Sequence, residues 1–449
     1  MMTSLIAASA IAVVGTAAFK FYRRRRRSAQ ADVELRTTKT QADFEVPFDE
    51  IGTRLREVMD REGVAIVTNV ISSQKELRDL EQSFVDDIDG LIDVQAVHAS
   101  PDEAVRDAYN RFKSDGLRAF PYATARQIEP IPGFVLKGCV AAGSFAWRVR
   151  RHERVHAAFG ALFPDAGPLV TSIDTTFFTP EGGPALDEYS GSAHVDQNGR
   201  DSREPDLKGA SIYQGILYVW AADDGCTTTC VWPRSHTSVW PSMLDDAEYK
   251  EAGQRGDHYF EIRWLRDAEK RRALQDGWER EHLRLRIPAG ALLLWNSRTV
   301  HTGVKSGPRF AQAVCLEPAS KRPPQHRAAK MRLAALGLPS THWARIGHQH
   351  DVLPDYEGYL TTEEAHRRET AVAQGDGTAP HRGVLLPLRP AIRPAPLADG
   401  ADLEALRPLA RIDWADRTQC THKCVWDHAP RASEALLEAS VRDDFKQFL

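Results

Sequence analysis

The sequence predicts a mainly β fold with flanking helices, an antiparallel sandwich or jelly roll. Three observations predict it. Between residues 168 and 318, short β-rich runs alternate with Gly, Asp and Pro turns, which suits antiparallel strands and not a parallel sheet. The clearest helical runs lie outside that stretch or in one charged insertion within it. No internal repeat, phosphate loop or Gly-x-Gly-x-x-Gly element points to another architecture.

From the amino end, Thr3 to Phe19 is uncharged and largely apolar, and Lys20, Phe21, Tyr22 and the arginines 23–27 follow it. A helix over residues 1–19 would reach about 28 Å, close to the thickness of a bilayer's hydrocarbon. Residues 1–22 are therefore expected to form a membrane anchor, with the arginines holding the body on the cytosolic side. An Arg-rich, acid-free leader is also the composition of an organellar transit peptide, which stays open as the alternative. Residues 23–44 read as a basic and polar linker.

The body is expected over residues 45–345. Phe48 to Glu62 has a helical pattern that Gly63 ends. Val64 to Val70 is β-branched and bounded, the pattern of a buried strand. Ser72 and Ser73 are positioned to cap a helix from Gln74 to about Asp87. Pro101 to Ser114 reads as another helix, with proline near its first turn and acids close by. Charge dominates residues 261–284, a solvated helical insertion between strands, and Arg322 to Leu336 reads as an exposed helix. Residues 346–449 form a carboxyl-terminal extension, in which 375–400 is a Pro- and Gly-rich arm.

Composition excludes several classes. Hydrophobic residues at 42% and charged residues at 27% are the balance of a globular chain, not of a disordered one. Six of the 58 Lys and Arg residues lie in positions 1–31, which hold no acid; the rest carries 52 bases against 62 acids, or −10. A mildly acidic body argues against a nucleic-acid partner. Six cysteines in 449 residues do not make a disulfide scaffold, and reduced structural thiols are expected. Cys420, Cys424 and His428 lack the paired knuckles of a zinc site.

The most informative residues are His194-Val195-Asp196 and, 105 residues beyond Asp196, His301 at the end of an apolar run. Residues i and i+2 of a strand share a side, so His194 and Asp196 are placed to grip one ion together. Two imidazoles and a carboxylate with open positions are the ligand set of mononuclear non-haem iron(II) oxygenases. Arg309 lies eight residues after His301, on the same side if the strand runs on without a bulge. A guanidinium there would clamp a carboxylate bidentately, as the far end of 2-oxoglutarate requires.

By these residues the chain resembles the phytanoyl-CoA dioxygenase-like family. Gly63 to Ser72 is similar to the family's opening strand, His194 to Asn198 to its metal strand, and Tyr213 to Leu217 to the next strand. Val231-Trp232-Pro233-Arg234-Ser235-His236 resembles its Pro-Gly-Ser-His turn, and Gly290 to His301 its distal metal strand. The resemblance covers about residues 45 to 345. It implies a cupin-like double-stranded β-helix that uses iron(II), 2-oxoglutarate and O₂ to oxidise, and most readily hydroxylate, a C–H bond of a small molecule. It implies His194, Asp196 and His301 as metal ligands and Arg309 as partner of the 5-carboxylate of 2-oxoglutarate. Lys137 and Gln214 fall where family members contact that co-substrate.

The chain also departs from the family. The motif's Gly is Arg234, which would set a charge near the barrel mouth, and the spacing from His301 to Arg309 is shorter than in some members. Trp295 reads as core packing or as pocket wall, and His236 as a site neighbour or a surface residue. His342, His348 and His350 read as a solvated loop. Two other functions stay open: a cupin-like metalloenzyme that does not use 2-oxoglutarate, and a membrane-anchored binding protein without catalysis. The anchor would suit a hydrophobic substrate and equally a tether near a partner enzyme.

Overall fold

The computed structural model describes residues 41–128, 134–135, 140–181, 188–189, 193–199, 211–255, 259–305, 307–340, 342–345, 383–389, 394–406 and 433–449. In chain order the first strands are β1 (Glu45–Pro47), β2 (Val64–Thr68), β3 (Phe134–Val135), β4 (Leu169–Thr171) and β5 (Thr176–Thr179). There follow β6 (Glu188–Tyr189), β7 (His194–Val195), β8 (Tyr213–Tyr218), β9 (Thr228–Val231) and β10 (Phe260–Glu261). The last are β11 (Leu283–Arg284), β12 (Leu292–Asn296), β13 (His301–Lys305), β14 (Arg309–Val314) and β15 (Leu316–Pro318).

Two sheets dominate. The larger runs β1-β2-β12-β8-β14-β5-β3, and the smaller β10-β7-β13-β9-β11, with β6 also on β13. β4 and β15 form a separate pair. From β5 onward the chain passes repeatedly between the two: β5, β8, β12 and β14 belong to the larger sheet, and β7, β9, β11 and β13 to the smaller. Helices hold more of the described chain than strands do, so the expectation of a mainly β protein is corrected to a mixed one. The cause is local: the strands are short, while the helices against the larger sheet are long.

Strand alternation decides what each face does. Phe178, Leu217, Leu292, Leu294 and Phe310 point outward into the main apolar cluster, where helices cover them. Their opposite-parity neighbours Phe177, Ile216, Tyr218, Leu293, Trp295 and Ala311 point inward and meet Val231 and Leu283 of the smaller sheet. On the outer side, Phe84 of helix Gln74–Leu91 stacks on Phe310 at 4.9 Å and meets Phe178 edge-on at 5.3 Å. Truncating such a buried ring to alanine costs roughly 3–5 kcal/mol.

Capping follows the residue types. The Ser73 hydroxyl accepts from Glu76 N, and the Asp102 carboxylate from Ala104 N at the start of helix Glu103–Asp115. Asp87 accepts from Ser144 N and Phe145 N, both at 2.9 Å, and so starts helix Ser144–Arg150 from another helix. Gly63 ends helix Arg56–Glu62 in the left-handed conformation with φ 72°. A side chain there would also run into the His236 ring, so glycine is required twice over. The charged insertion is a helix, Ala268–Glu281, capped by Asp267.

Two expectations about the ends of the chain are corrected. Helix Pro324–Leu336, expected to be exposed, buries Met331 and residues 333–336 against Leu437, Phe445 and Leu449. The carboxyl-terminal segment covers it. The expected anchoring through an amino-terminal helix, and the cytosol-facing placement drawn from it, are overturned as well. Among the described residues no helix is long and apolar enough to cross a membrane. Helix Gln74–Leu91 has the length, at 18 residues, but carries Glu76, Asp79, Glu81, Asp86, Asp87 and Asp89, which a hydrocarbon core would expel. Residues 1–22 themselves, and with them the transit-peptide reading, lie outside the described residues.

Within the carboxyl-terminal arm, residues 383–389 lie along the helical layer. Thr124 Oγ1 donates to Val384 O at 3.0 Å, Asp93 N to Pro387 O at 2.9 Å, and Leu386 joins the main cluster.

Candidate metal centre and the buried cation

β7 and β13 run antiparallel with His301 directly opposite His194. Their rings stand 4.4 Å apart, centroid to centroid. Asp196 follows β7 by one residue, and its backbone N–H donates to Ser297 O at 2.9 Å. His194 Nε2 lies 3.6 Å from Asp196 Oδ1, and His301 Nε2 lies 3.1 Å from Asp196 Oδ2. One ligand atom from each of the three falls within 4.8 Å of the others. Two nitrogens and one oxygen converging this way can hold a divalent cation.

The local bonds prepare these atoms. His301 Nδ1 lies 3.0 Å from Thr299 O, a carbonyl that accepts the ring proton when Nε2 serves as the ligand atom. Gln214 Nε2 donates to Asp196 Oδ2 and to Ser297 Oγ, both at 3.1 Å. Burial raises the Asp196 carboxyl, but His342, His301 and His194 outweigh it and hold the group well below the usual carboxylate range. Asp196 is thus an anion in a desolvated place.

The helical segment between β9 and β10 fastens the loop after Asp196. The Gln197 carbonyl accepts from Tyr249 Oη at 2.7 Å and from Trp240 Nε1 at 3.1 Å. Gly199 N donates to Tyr249 Oη at 3.1 Å, and Asn198 Nδ2 to Tyr249 O at 3.3 Å. Tyr249 is fully buried on helix Ala247–Arg255, and the Arg298 guanidinium lies over the Trp240 ring at 4.5 Å.

Arg309 opens β14 in the larger sheet, whereas His301 opens β13 in the smaller. The expected single strand from one to the other is therefore corrected: the chain changes sheets between them, passing Gly307 at φ 135°. Parity within β14 then puts Arg309, like Ala311 and Ala313, on the inner face. Its Cζ lies 4.0 Å from the Phe177 ring centroid and its Nη2 donates to Tyr218 Oη at 2.9 Å. Its Nε has no partner and no carboxylate pairs with it among the described residues. Burial lowers its pKa, opposed by Tyr218. A buried cation without an anion is unfavourable. Solvent reaches it: inner-face Phe177 is 9% and Arg309 7% exposed, whereas outer-face Phe178 and Phe310 are 0%.

The other expected residues divide. Gln214 is bonded to Asp196 and Ser297, on the same inner face as Ile216 and Tyr218. Lys137 lies outside the described residues, as do His348, His350, Cys420, Cys424 and His428. Arg234 has φ 66°, a left-handed backbone that favours glycine, and this accounts for the Gly of the family motif. Its guanidinium is bound bidentately at 2.9 and 2.8 Å to the buried Glu62, so its charge is directed to that acid. His236 is buried with Nε2 3.1 Å from Asp60 O, a packing role beneath Gly63. Spacing gave no sign of Trp240 and Tyr249. His342, expected in a loop away from the barrel, acts on the Asp196 charge.

No family model matches the chain, and no curated protein matches it. Solved structures resemble it distantly. A provisionally assigned oxidoreductase from Salmonella typhimurium LT2 is 13% identical over 72% of this chain and 86% of its own, with a TM-score of 0.43. EctD from S. alaskensis, with 2-oxoglutarate and 5-hydroxyectoine, is 14% identical over 60% and 77%, with a TM-score of 0.35. The epimerase SnoN, in complex with Fe3+, alpha ketoglutarate and nogalamycin RO, is 12% identical over 61% and 84%, with a TM-score of 0.33. Similarities this distant leave the reading of the site to its own residues.

Proposed function

We propose that this chain is an iron(II)- and 2-oxoglutarate-dependent oxygenase that oxidises, most readily by hydroxylation, a C–H bond of a small molecule. The observation that carries the reading is the pairing of a His194–Asp196–His301 cluster with Arg309, a buried cation that no acid among the described residues neutralises. A metalloenzyme without an acidic co-substrate would have no use for that charge. The passage of successive strands between two facing sheets supports a double-stranded β-helix over residues 45–345, and the described residues 433–449 of the extension pack against helix Pro324–Leu336.

The donor set fits iron(II): two imidazole nitrogens and one carboxylate held ionised. His194, Asp196 and His301 would hold the metal. Bound iron(II) and 2-oxoglutarate would supply the activation of O₂ that attack on a C–H bond requires. Gln214 fixes the Asp196 carboxylate by donating to Oδ2. Arg309, oriented by Tyr218 Oη and backed by the Phe177 ring, would bind the far carboxylate. Phe177, Ile216, Leu293 and Trp295 make the inner face apolar.

The test is anaerobic reconstitution of the full chain with iron(II), followed by 2-oxoglutarate. A weak visible charge-transfer band that needs both additions is the expected result. Iron(II) binding with no response to 2-oxoglutarate would favour the cupin-like alternative, and no iron(II) binding would favour the non-catalytic one.

A further inference from the structure

Trp295 lies on β12 opposite Gln214 of β8, and its side chain points between the sheets with Leu293. Its ring stands 5.2 Å from that of His301. The residue is 5% exposed, and its indole Nε1–H has no acceptor among the described residues. Indole N–H is a donor only, and a buried donor without an acceptor is unfavourable. Among the described residues Trp147 and Trp220 also leave Nε1 unpartnered, but it is the ring of Trp295 that stands beside His301.

A second stranded donor shares the face. Arg309 Nε is likewise buried without a partner, and the residues beside it on β14, Ala311 and Ala313, are small. An orphan donor beside the metal cluster, on the same inner face of the larger sheet as the orphan Arg309 Nε, would be met by a ligand rich in acceptor oxygens. We infer that Trp295 is a further co-substrate-binding residue, its indole N–H donating to an oxygen of the bound 2-oxo acid. This rests on the oxygenase reading above and adds a donor that neither the metal cluster nor Arg309 supplies.

The substitution Trp295→Phe keeps an inner-face ring and removes the donor together with part of the indole's volume. Iron(II)-loaded wild type and variant, full-length and anaerobic, are titrated with 2-oxoglutarate by the visible band. The dissociation constant is expected to rise about tenfold, the usual effect of losing one hydrogen bond to a charged acceptor. Iron(II) affinity should stay at the wild-type value, and the thermal midpoint without 2-oxoglutarate should fall only by the cost of the smaller ring, offset by relief of the orphan donor. Equal 2-oxoglutarate affinity in the two proteins overturns the inference. Failure of wild type to respond to 2-oxoglutarate overturns the oxygenase reading itself, a separate outcome.

A second measurement needs no variant. In zinc(II)-loaded wild type carrying ¹⁵N-tryptophan, the Trp295 indole proton should move downfield on adding 2-oxoglutarate. No movement overturns the inference even if Trp295→Phe fails to fold.

Discussion

The Gln214 side-chain amide donates to Asp196 Oδ2 at 3.1 Å, across the gap between the larger sheet and the smaller. Its other N–H is taken by Ser297 Oγ, so the amide cannot turn away. The carboxylate is thereby fixed by an element that has no other part in the cluster. Gln214→Met keeps the volume and removes both donors. Iron(II) affinity should fall about 10- to 100-fold, the usual effect of losing a group that orients a metal ligand. Anaerobic iron(II) titration of the folded variant checks it; unchanged affinity would remove Gln214 from the site.

Arg309→Met exchanges a buried, unpaired charge for an apolar chain. Without 2-oxoglutarate the variant should be as stable as wild type or more so, because the desolvation of the guanidinium is relieved. With iron(II) bound, the concentration of 2-oxoglutarate needed should rise roughly 100-fold or more. Thermal melts with and without 2-oxoglutarate separate the two effects. A loss of stability in the apo protein would show the charge to be structural.

Tyr249→Phe deletes the hydroxyl that holds both Gln197 O and Gly199 N. Trp240 Nε1 still reaches the Gln197 carbonyl, so the loop is loosened and not released. The expected loss is about 1–2 kcal/mol of stability, with iron(II) affinity about tenfold weaker by analogy with other outer partners of metal ligands. Cobalt(II) spectra of the variant read the geometry at the ligands. A destabilised protein with wild-type cobalt spectrum and affinity would confine Tyr249 to the core.

Asp87 gives a pH test of the fold. Burial pushes its carboxyl up to about 6, against two backbone amides that favour the ionised form. A carboxyl whose folded value is raised binds its proton more tightly in the folded chain. Its contribution to stability is therefore greatest below about pH 4 and is lost as pH rises through 6, by on the order of 3 kcal/mol. Asp87→Asn removes this slope while keeping an acceptor for the helix start. Denaturant midpoints of both proteins between pH 4 and pH 7 should diverge, with the variant gaining relative to wild type at the upper end. Parallel curves would refute the assignment.

Much of the local structure was legible. The Val64–Thr68 strand, the Ser73 cap, the helix after Pro101 and the Gly63 stop each depend on a few adjacent residues, and each lies within a few residues of its expected place. The pairing of residues i and i+2 put His194 beside Asp196 without knowledge of the fold. The parity argument for Arg309 was sound only within one strand, and it failed because the chain changes sheets before residue 309. Helix Pro324–Leu336 read as exposed because its partners, Leu437, Phe445 and Leu449, come a hundred residues later.

By itself the sequence determined the chemistry at hand: two imidazoles, an acid and a guanidinium, on runs whose period separates inner from outer faces. Only the tertiary structure decided that Gln214 reaches Asp196, that Tyr249 and Trp240 fasten the loop beyond it, and that no described acid meets Arg309. The reason is range. Strand alternation and helix caps are set by neighbours along the chain, whereas burial without a partner depends on every segment that folds against the site.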